Sequence, residues 1–259
     1  VLMENPFKDG VFVEIKNILF KEYKNKYIEK AKNMSKEEIK DLIWGKIITE
    51  YKNYSSQNSY KAYDWDLIVK KAGNSLNLKS EINVASLVEK YCKRPYIKSY
   101  NDGEKLLEYL KNKNNNLKVI TNGYYKYQFP VLKALNLSKY FSEIITCDKA
   151  KAAKPEKDIF LMAVAANESI NWVHIGDSLL MDVYGANKLG AKTVLVDRNL
   201  DESLSKLNIQ IRSKEKGSKN YIIEKAKKEK SFNKLNYHDS FIYPDYLVKS
   251  LIELFNNFI

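Results

Sequence analysis

Two carboxylates, Asp177 and Asp182, stand in the run Trp172-Val-His-Ile-Gly-Asp-Ser-Leu-Leu-Met-Asp182. The β-branched stretch Val173-His174-Ile175 ends in Gly176-Asp177-Ser178, and a helical pattern carrying Asp182 follows at once. In an open parallel sheet, ligands sit outside the carboxyl ends of the strands. Asp177 is therefore expected to project from a strand end into a crevice where oxygen ligands could hold a hard cation. Asp182 starts the next helix near the same mouth. Gly185 and Ala186 keep that helix slim enough to pack on a sheet, and Gly190 stops it before another strand at 192–197. Two more polar groups occupy comparable places. Thr121-Asn122-Gly123 sets a hydroxyl and a tight turn after the strand 117–121, and Lys154-Pro155 sets an ammonium at the head of a helix expected over 158–166.

The elements that must position these residues alternate. From Tyr100 the pattern reads helix 104–110, turn 111–116, strand 117–121, helix 129–135, strand 143–146, helix 158–166, strand 173–175, helix, strand 192–197. Strands separated by helices in this way are the signature of a doubly wound parallel sheet, an α/β architecture. Residues 10–98 are different. An apolar stripe at Val11, Phe12, Ile15, Ile18, Leu19 and Tyr23 predicts one amphipathic helix, and a second follows Ser35-Lys-Glu-Glu38 with Ile39, Leu42, Ile43 and Ile47 on one face. The polar, Tyr-rich stretch 51–63 reads as a connection, and two further helices are expected near 65–69 and 84–88. Tyr51, Tyr54, Tyr60, Tyr63 and Trp65 are assigned to packing in preference to a substrate pocket, and Asp64 and Asp66 to capping in preference to acid–base chemistry. Residues 1–7, broken by Pro6, are too short for a full strand. The Lys-rich segment 205–236 reads as a solvated surface because its aromatic interleaving is too sparse for nucleic acid, and 243–255 as a short strand with a final amphipathic helix.

A chain of 259 residues can bury a substantial core with a sizeable insert. Its net charge of +12 favours anionic partners without choosing among them. With Cys92 and Cys147 as its only cysteines, it has no disulfide framework and no cysteine-rich metal site, which suits a reducing, cytoplasmic setting. No apolar run approaches the roughly 18 residues that span a bilayer, so no membrane association is expected.

Taken in order, Thr121 after one strand, Lys154-Pro155 before a helix, and Gly176-Asp177 with Asp182 after a later strand resemble the second, third and fourth motifs of the haloacid dehalogenase (HAD) superfamily. The resemblance covers about residues 100–200. It implies a Rossmann-like core of residues 1–9 and 99–259, with 10–98 as an inserted α-helical cap of the C1 type. It also implies Mg²⁺-dependent hydrolysis of a small phosphorylated metabolite, a nucleotide or sugar phosphate, through an aspartyl-phosphate. In that scheme Thr121 donates to a phosphate oxygen, the amides of Asn122 and Gly123 extend the cradle, and Lys154 offsets charge on phosphate and nucleophile. Asp177 supplies a metal ligand, and Asp182 either completes the ion's shell or orients Lys154.

The family's first motif, Asp-x-Asp-x-(Thr or Val), is absent from residues 1–259. Asp9-Gly10 imitates its end, but Phe7 would occupy the nucleophile position. Val1-Leu-Met-Glu instead matches the family's continuation after that motif, so both aspartates are expected on roughly ten residues upstream of Val1, with the strand that belongs at the centre of the sheet. Two alternatives stand beside the phosphatase expectation. One is a 2-haloacid dehalogenase, which needs no metal and leaves Asp177 and Asp182 unmotivated. The other is a non-catalytic binding protein that keeps the scaffold and presents a basic surface.

Overall fold

The apolar spacing between Val11 and Ile47 folds as it reads. In the computed structural model, which describes residues 1–57, 60–79, 81–164, 172–229 and 239–255, a wide helical turn at Phe7–Val11 leads into α1 (Phe12–Lys26). Ile15, Leu19 and Tyr23 share its buried face. After α2 (Ile28–Lys32), Ser35 Oγ accepts from Glu38 N at 3.1 Å while Glu38 accepts from Ser35 N at 2.6 Å, and this reciprocal pair starts α3 (Lys36–Ser55). Ile39, Ile43 and Ile47 are fully buried beneath it, each contributing about 1.5–3 kcal/mol by leaving water. The helix does not stop at the expected connection. The same face continues to Tyr51, whose ring stacks on Trp65 at 5.9 Å, so packing carries the helix on to Ser55.

Asp64 and Asp66 serve helix ends, as expected. Asp64 accepts from Leu67 N at 3.3 Å to cap α4 (Trp65–Ser75), and Asp66 accepts from Val84 N at 2.6 Å at the start of α5 (Val84–Tyr91). Asp66 also accepts from the hydroxyl of Tyr127, a residue of the following α/β half, at 2.9 Å. One apolar core crosses between the halves: Val11, Ile43 and Val84 belong to the same buried cluster as Tyr127, Ile145 and Phe160.

The remaining elements alternate. Strand β1 (Met3–Glu4) pairs antiparallel with β2 (Lys98–Ser99), and α6 (Asn101–Asn112) leads to β3 (Lys118–Thr121). Then follow α7 (Tyr125–Ala134), β4 (Glu143–Thr146), α8 (Cys147–Ala150) and α9 (Lys157–Leu161). β5 (Val173–Gly176), α10 (Gly185–Asn187) and β6 (Lys192–Val196) come next. The chain continues through α11 (Glu202–Ser205), α12 (Ile209–Arg212), α13 (Lys216–Lys228) and β7 (Tyr246–Val248). All pairings among β3 to β7 are parallel, with Thr121 opposite Thr146 and Gly176 opposite Leu195, so the carboxyl ends share a side within each pairing.

The expected sheet is divided. Among the described residues β3 pairs only with β4, and β5–β6–β7 form a separate block, so β3 and β5 each keep one edge without a ladder partner. Apolar packing spans the division: Leu2 packs against both the cluster that contains Val196 and Val248 and the cluster that contains Leu107 and Leu132. Three local expectations also change. The helix after Pro155 starts at Lys157, and positions 165 and 166 of its expected span lie outside the described residues. The Lys-rich segment is more than a solvated surface, because Ser218, Ile222 and Ala226 of α13 are buried; its positions 230–236 lie outside the described residues. The closing helix is a single 3-10 turn, Leu251–Leu254.

Candidate active site

Asp182 does not begin a regular helix. It sits in a wide turn, Leu179–Tyr184, that folds its side chain back over the end of β5. Gly176 permits this, since a Cβ there would overlap the Asp182 carboxyl group. Gly185, next in line, lets α10 approach α9 so closely that a Cβ would stand 2.7 Å from the Phe160 ring. The buried Asp182 carboxylate is filled on both sides. Lys154 Nζ lies 2.6 Å and His174 Nε2 3.0 Å from Oδ1, while the amides of Asp177 and Ser178 donate to Oδ2, each at 3.1 Å. Burial acts to raise its pKa, but the Lys154 charge and the His174 hydrogen bond outweigh that and hold it well below the usual carboxylate range.

Lys154, His174 and two backbone amides all engage Asp182, an arrangement that favours the expected role of orienting Lys154 over that of metal ligand. Lys154 is held from a second direction, donating to Ile120 O of β3 at 3.2 Å. Its ammonium therefore ties the β3 block to the turn after β5, across the division in the sheet.

Asp177 is the opposite case. Its side chain is 63% exposed. The turn beneath it is fully hydrogen-bonded. Leu179 N and Leu180 N donate to Glu229 at 2.8 and 3.1 Å, Met181 N donates to Ser178 Oγ at 3.1 Å, and the amides of Asp177 and Ser178 are already engaged by Asp182. A turn whose amides serve carboxylates cannot cradle phosphate; it surrounds Asp177 with negative charge and suits a cation. Among the described residues no three His, Cys, Asp or Glu side chains converge as a metal cluster. Magnesium keeps several waters and is bound through one or two carboxylates with substrate oxygens, and the exposed carboxylate of Asp177 fits that kind of anchorage.

The turn after β3 is likewise specific in what it offers. Thr121 Oγ1 accepts from Gly123 N at 3.1 Å and keeps its own proton to donate. The Gly123 amide is thus consumed inside the turn, which removes it from the expected phosphate cradle. Asn122 turns its carboxamide to the Lys154 backbone, accepting from Lys154 N at 2.7 Å and donating to Lys154 O at 3.1 Å. Its Nδ2 also donates to the Tyr63 hydroxyl at 2.9 Å. Asn122 therefore holds the lysine's main chain. Beneath it the Cys147 thiol donates to Asn122 O at 2.7 Å, and burial pushes that thiol up to about 12, so it is inert.

All the residues singled out from sequence come together here: Thr121, Asn122 and Gly123 on one turn, Lys154 bound to it, and Asp177 and Asp182 linked to Lys154 through a shared carboxylate. Four contributors were not anticipated. His174 was legible only as the inward position of an alternating strand. Tyr63, assigned to packing, brings a hydroxyl from the helical half; burial pushes its pKa up to about 12. Glu229 and Lys225 lay hidden in the Lys-rich segment, and Lys225 joins Tyr100, Asp177, Arg198 and Asn199 around a cavity of about 290 Å³.

Comparison with known proteins bears on this geometry. The family model for haloacid dehalogenase-like hydrolases matches residues 9–196. The crystal structure of a HAD phosphatase from Thermococcus onnurineus superposes with a TM-score of 0.60 at 25% identity, covering 94% of this chain and 88% of that one. A glyceraldehyde 3-phosphate phosphatase of Methanopyrus kandleri is 28% identical over 151 residues, 56% of this chain and 62% of its own. A ribulose-1,5-bisphosphate 5-phosphatase of Halopiger xanaduensis is 31% identical over 98 residues, 37% of this chain and 41% of its own. The chain thus spans about half the length of the curated relatives it matches.

Proposed function

We infer that this chain, which belongs to the haloacid dehalogenase-like hydrolase family, hydrolyses the phosphate monoester of a small metabolite such as a sugar phosphate. One observation carries the reading: Lys154 Nζ is fixed between the carbonyl of Ile120, the residue before Thr121, and Oδ1 of Asp182, whose other oxygen takes the backbone amide of Asp177. That arrangement suits a substrate bearing several negative oxygens. Phosphoryl transfer is mostly positioning and charge neutralisation, and each residue has a matching task. Thr121 donates its proton to an equatorial phosphate oxygen. Lys154, held in place by Asp182, offsets the charge shared by phosphate and nucleophile. Asn122 fixes the lysine's main chain, so that its ammonium returns to the same place at each turnover.

Asp177 is the residue that would hold Mg²⁺, and the ion when bound draws phosphate and nucleophile together as a Lewis acid. The helical half 10–98 acts as the cap that selects the leaving group, with Tyr63 as its contact to the Asn122 turn. The names of the M. kandleri and H. xanaduensis relatives support a sugar phosphate as the substrate class.

The test is hydrolysis of an aryl phosphate by the protein. Activity should require Mg²⁺, disappear in EDTA, and disappear in Asp177→Asn. Metal-independent turnover of a 2-haloacid, with no phosphate release, would sink the reading.

A further inference from the structure

Helix α13 lies in the segment whose lysines suggest a purely solvated surface, yet one of its faces is polar and turned inward. Tyr221, Lys225 and Glu229 recur at helical spacing along that face. The Tyr221 hydroxyl donates to Asp197 Oδ2 at 2.8 Å and Lys225 Nζ lies 2.9 Å from the same oxygen, just past the carboxyl end of β6. At the end of the helix, Glu229 reaches the neighbouring strand's turn. Its Oε1 accepts from Leu179 N at 2.8 Å, and its Oε2 accepts from Ser178 Oγ at 2.9 Å and Leu180 N at 3.1 Å.

We propose that Glu229 is a positioning residue for Asp177, clamping the turn that carries it, so that α13 forms a wall of the cation site. The proposal rests on the reading of Asp177 as the cation's anchor. Asp182 secures only the first amides of this turn, those of Asp177 and Ser178. Those of Leu179 and Leu180 depend on Glu229, and a carboxylate is the side chain able to take both together with the Ser178 hydroxyl. Glu229 also adds negative charge beneath Asp177. Without it the turn would keep its Asp182 half and lose the other, and the Asp177 carboxylate would no longer be held at a fixed angle to its neighbours.

The test uses the protein without substrate, with Mn²⁺ as the probe. Two quantities are read: Mn²⁺ affinity by EPR titration, and hydrogen exchange at the Leu179 and Leu180 amides by NMR. Glu229→Ala should weaken Mn²⁺ binding by about 10–100-fold and speed exchange at both amides, with exchange in α4 and α5 unchanged. Glu229→Gln, which keeps one acceptor oxygen, should fall between wild type and Glu229→Ala, and it carries the comparison if the alanine variant does not fold. Asp177→Asn should lose Mn²⁺ while keeping both amides protected. Wild-type Mn²⁺ affinity in the Glu229 variants, or unchanged exchange at Leu179 and Leu180, overturns the proposal and leaves the Asp177 reading intact. A wild-type chain that binds no Mn²⁺, or Asp177→Asn that binds it normally, overturns that reading and the proposal with it.

Discussion

The Lys154 ammonium stands 2.6 Å from Asp182 Oδ1, with both side chains withdrawn from solvent. Removing one member of such a pair leaves the other uncompensated, at about 3–5 kcal/mol. Asp182→Ala should therefore fall in melting temperature as well as in activity. Lys154→Met, which keeps the volume and leaves His174 and two amides on Asp182, should fold better than Asp182→Ala yet lose at least about 100-fold in kcat. Thermal unfolding and single-substrate kinetics on the two variants separate these effects. Equal loss of stability in both would contradict the asymmetry.

Gly176→Ala should fail for a reason unrelated to backbone freedom. The added methyl would occupy the place of the Asp182 carboxyl group, so the turn must open or the strand must shift. Overpacking of this kind costs about 1–3 kcal/mol. Denaturant titration measures that loss, and a soluble variant should show Lys154 released, with phosphatase activity near the Lys154→Met level.

Asp102 gives a pH dependence with a definite sign. Burial acts to raise its pKa, but hydrogen bonds from Arg198, Ser250 and the Leu251 amide outweigh this and hold the carboxyl at about 2. An unfolded aspartate titrates near ~3.9, so on acidification the unfolded chain takes the proton first. The stabilisation is complete above pH ~4 and disappears as pH falls through ~2. Asp102→Asn should be less stable at neutral pH by about 1.5–3 kcal/mol, and the gap to wild type should close on acidification. A gap that stays constant from pH ~7 to pH ~2 would exclude Asp102 as its source.

Tyr63 places a protonated hydroxyl against Asn122 at every pH at which the enzyme would be assayed, since its pKa is pushed up to about 12. Tyr63→Phe removes the acceptor for one Asn122 proton, at about 0.5–1.5 kcal/mol. The expected signature is a modest loss in kcat with no change in the shape of the pH–rate profile between pH ~6 and pH ~9. Disappearance of an ionisation in that range would mean that Tyr63 titrates there.

Thr121, Lys154, Asp177 and Asp182 were legible because each follows a strand or precedes a helix, and those positions follow from short-range periodicity. Their division of labour was not legible. Whether Asp182 meets an ion or a lysine depends on the missing Cβ of Gly176 and on His174 facing inward, which are tertiary facts. The wide turn at Leu179–Tyr184 imitates a helix start in its residue types and hides behind that pattern. Tyr51 misled for a related reason: polar, tyrosine-rich sequence resembles a loop until Trp65 is found beneath it. Glu229 carried no local signal, because its partners lie fifty positions away and its surroundings are lysines. The alternation of strands and helices was plain, and the unpartnered edges of β3 and β5 match the expectation that the central strand is not among residues 1–259.

The bond from Leu179 N to Glu229 also fixes an order of assembly during synthesis. A nascent chain that has left the ribosome only through α10 already owns Thr121, Lys154, Asp177 and Asp182. Its acidic turn is still unfinished, because the carboxylate that closes it is encoded downstream. The caps of the helical half come from residues 35–83, encoded long before that point, although its core also draws on Ile145 and Phe160. A chain released before residue 229 would carry Thr121, Lys154, Asp177 and Asp182 without the carboxylate that closes the turn beneath Asp177.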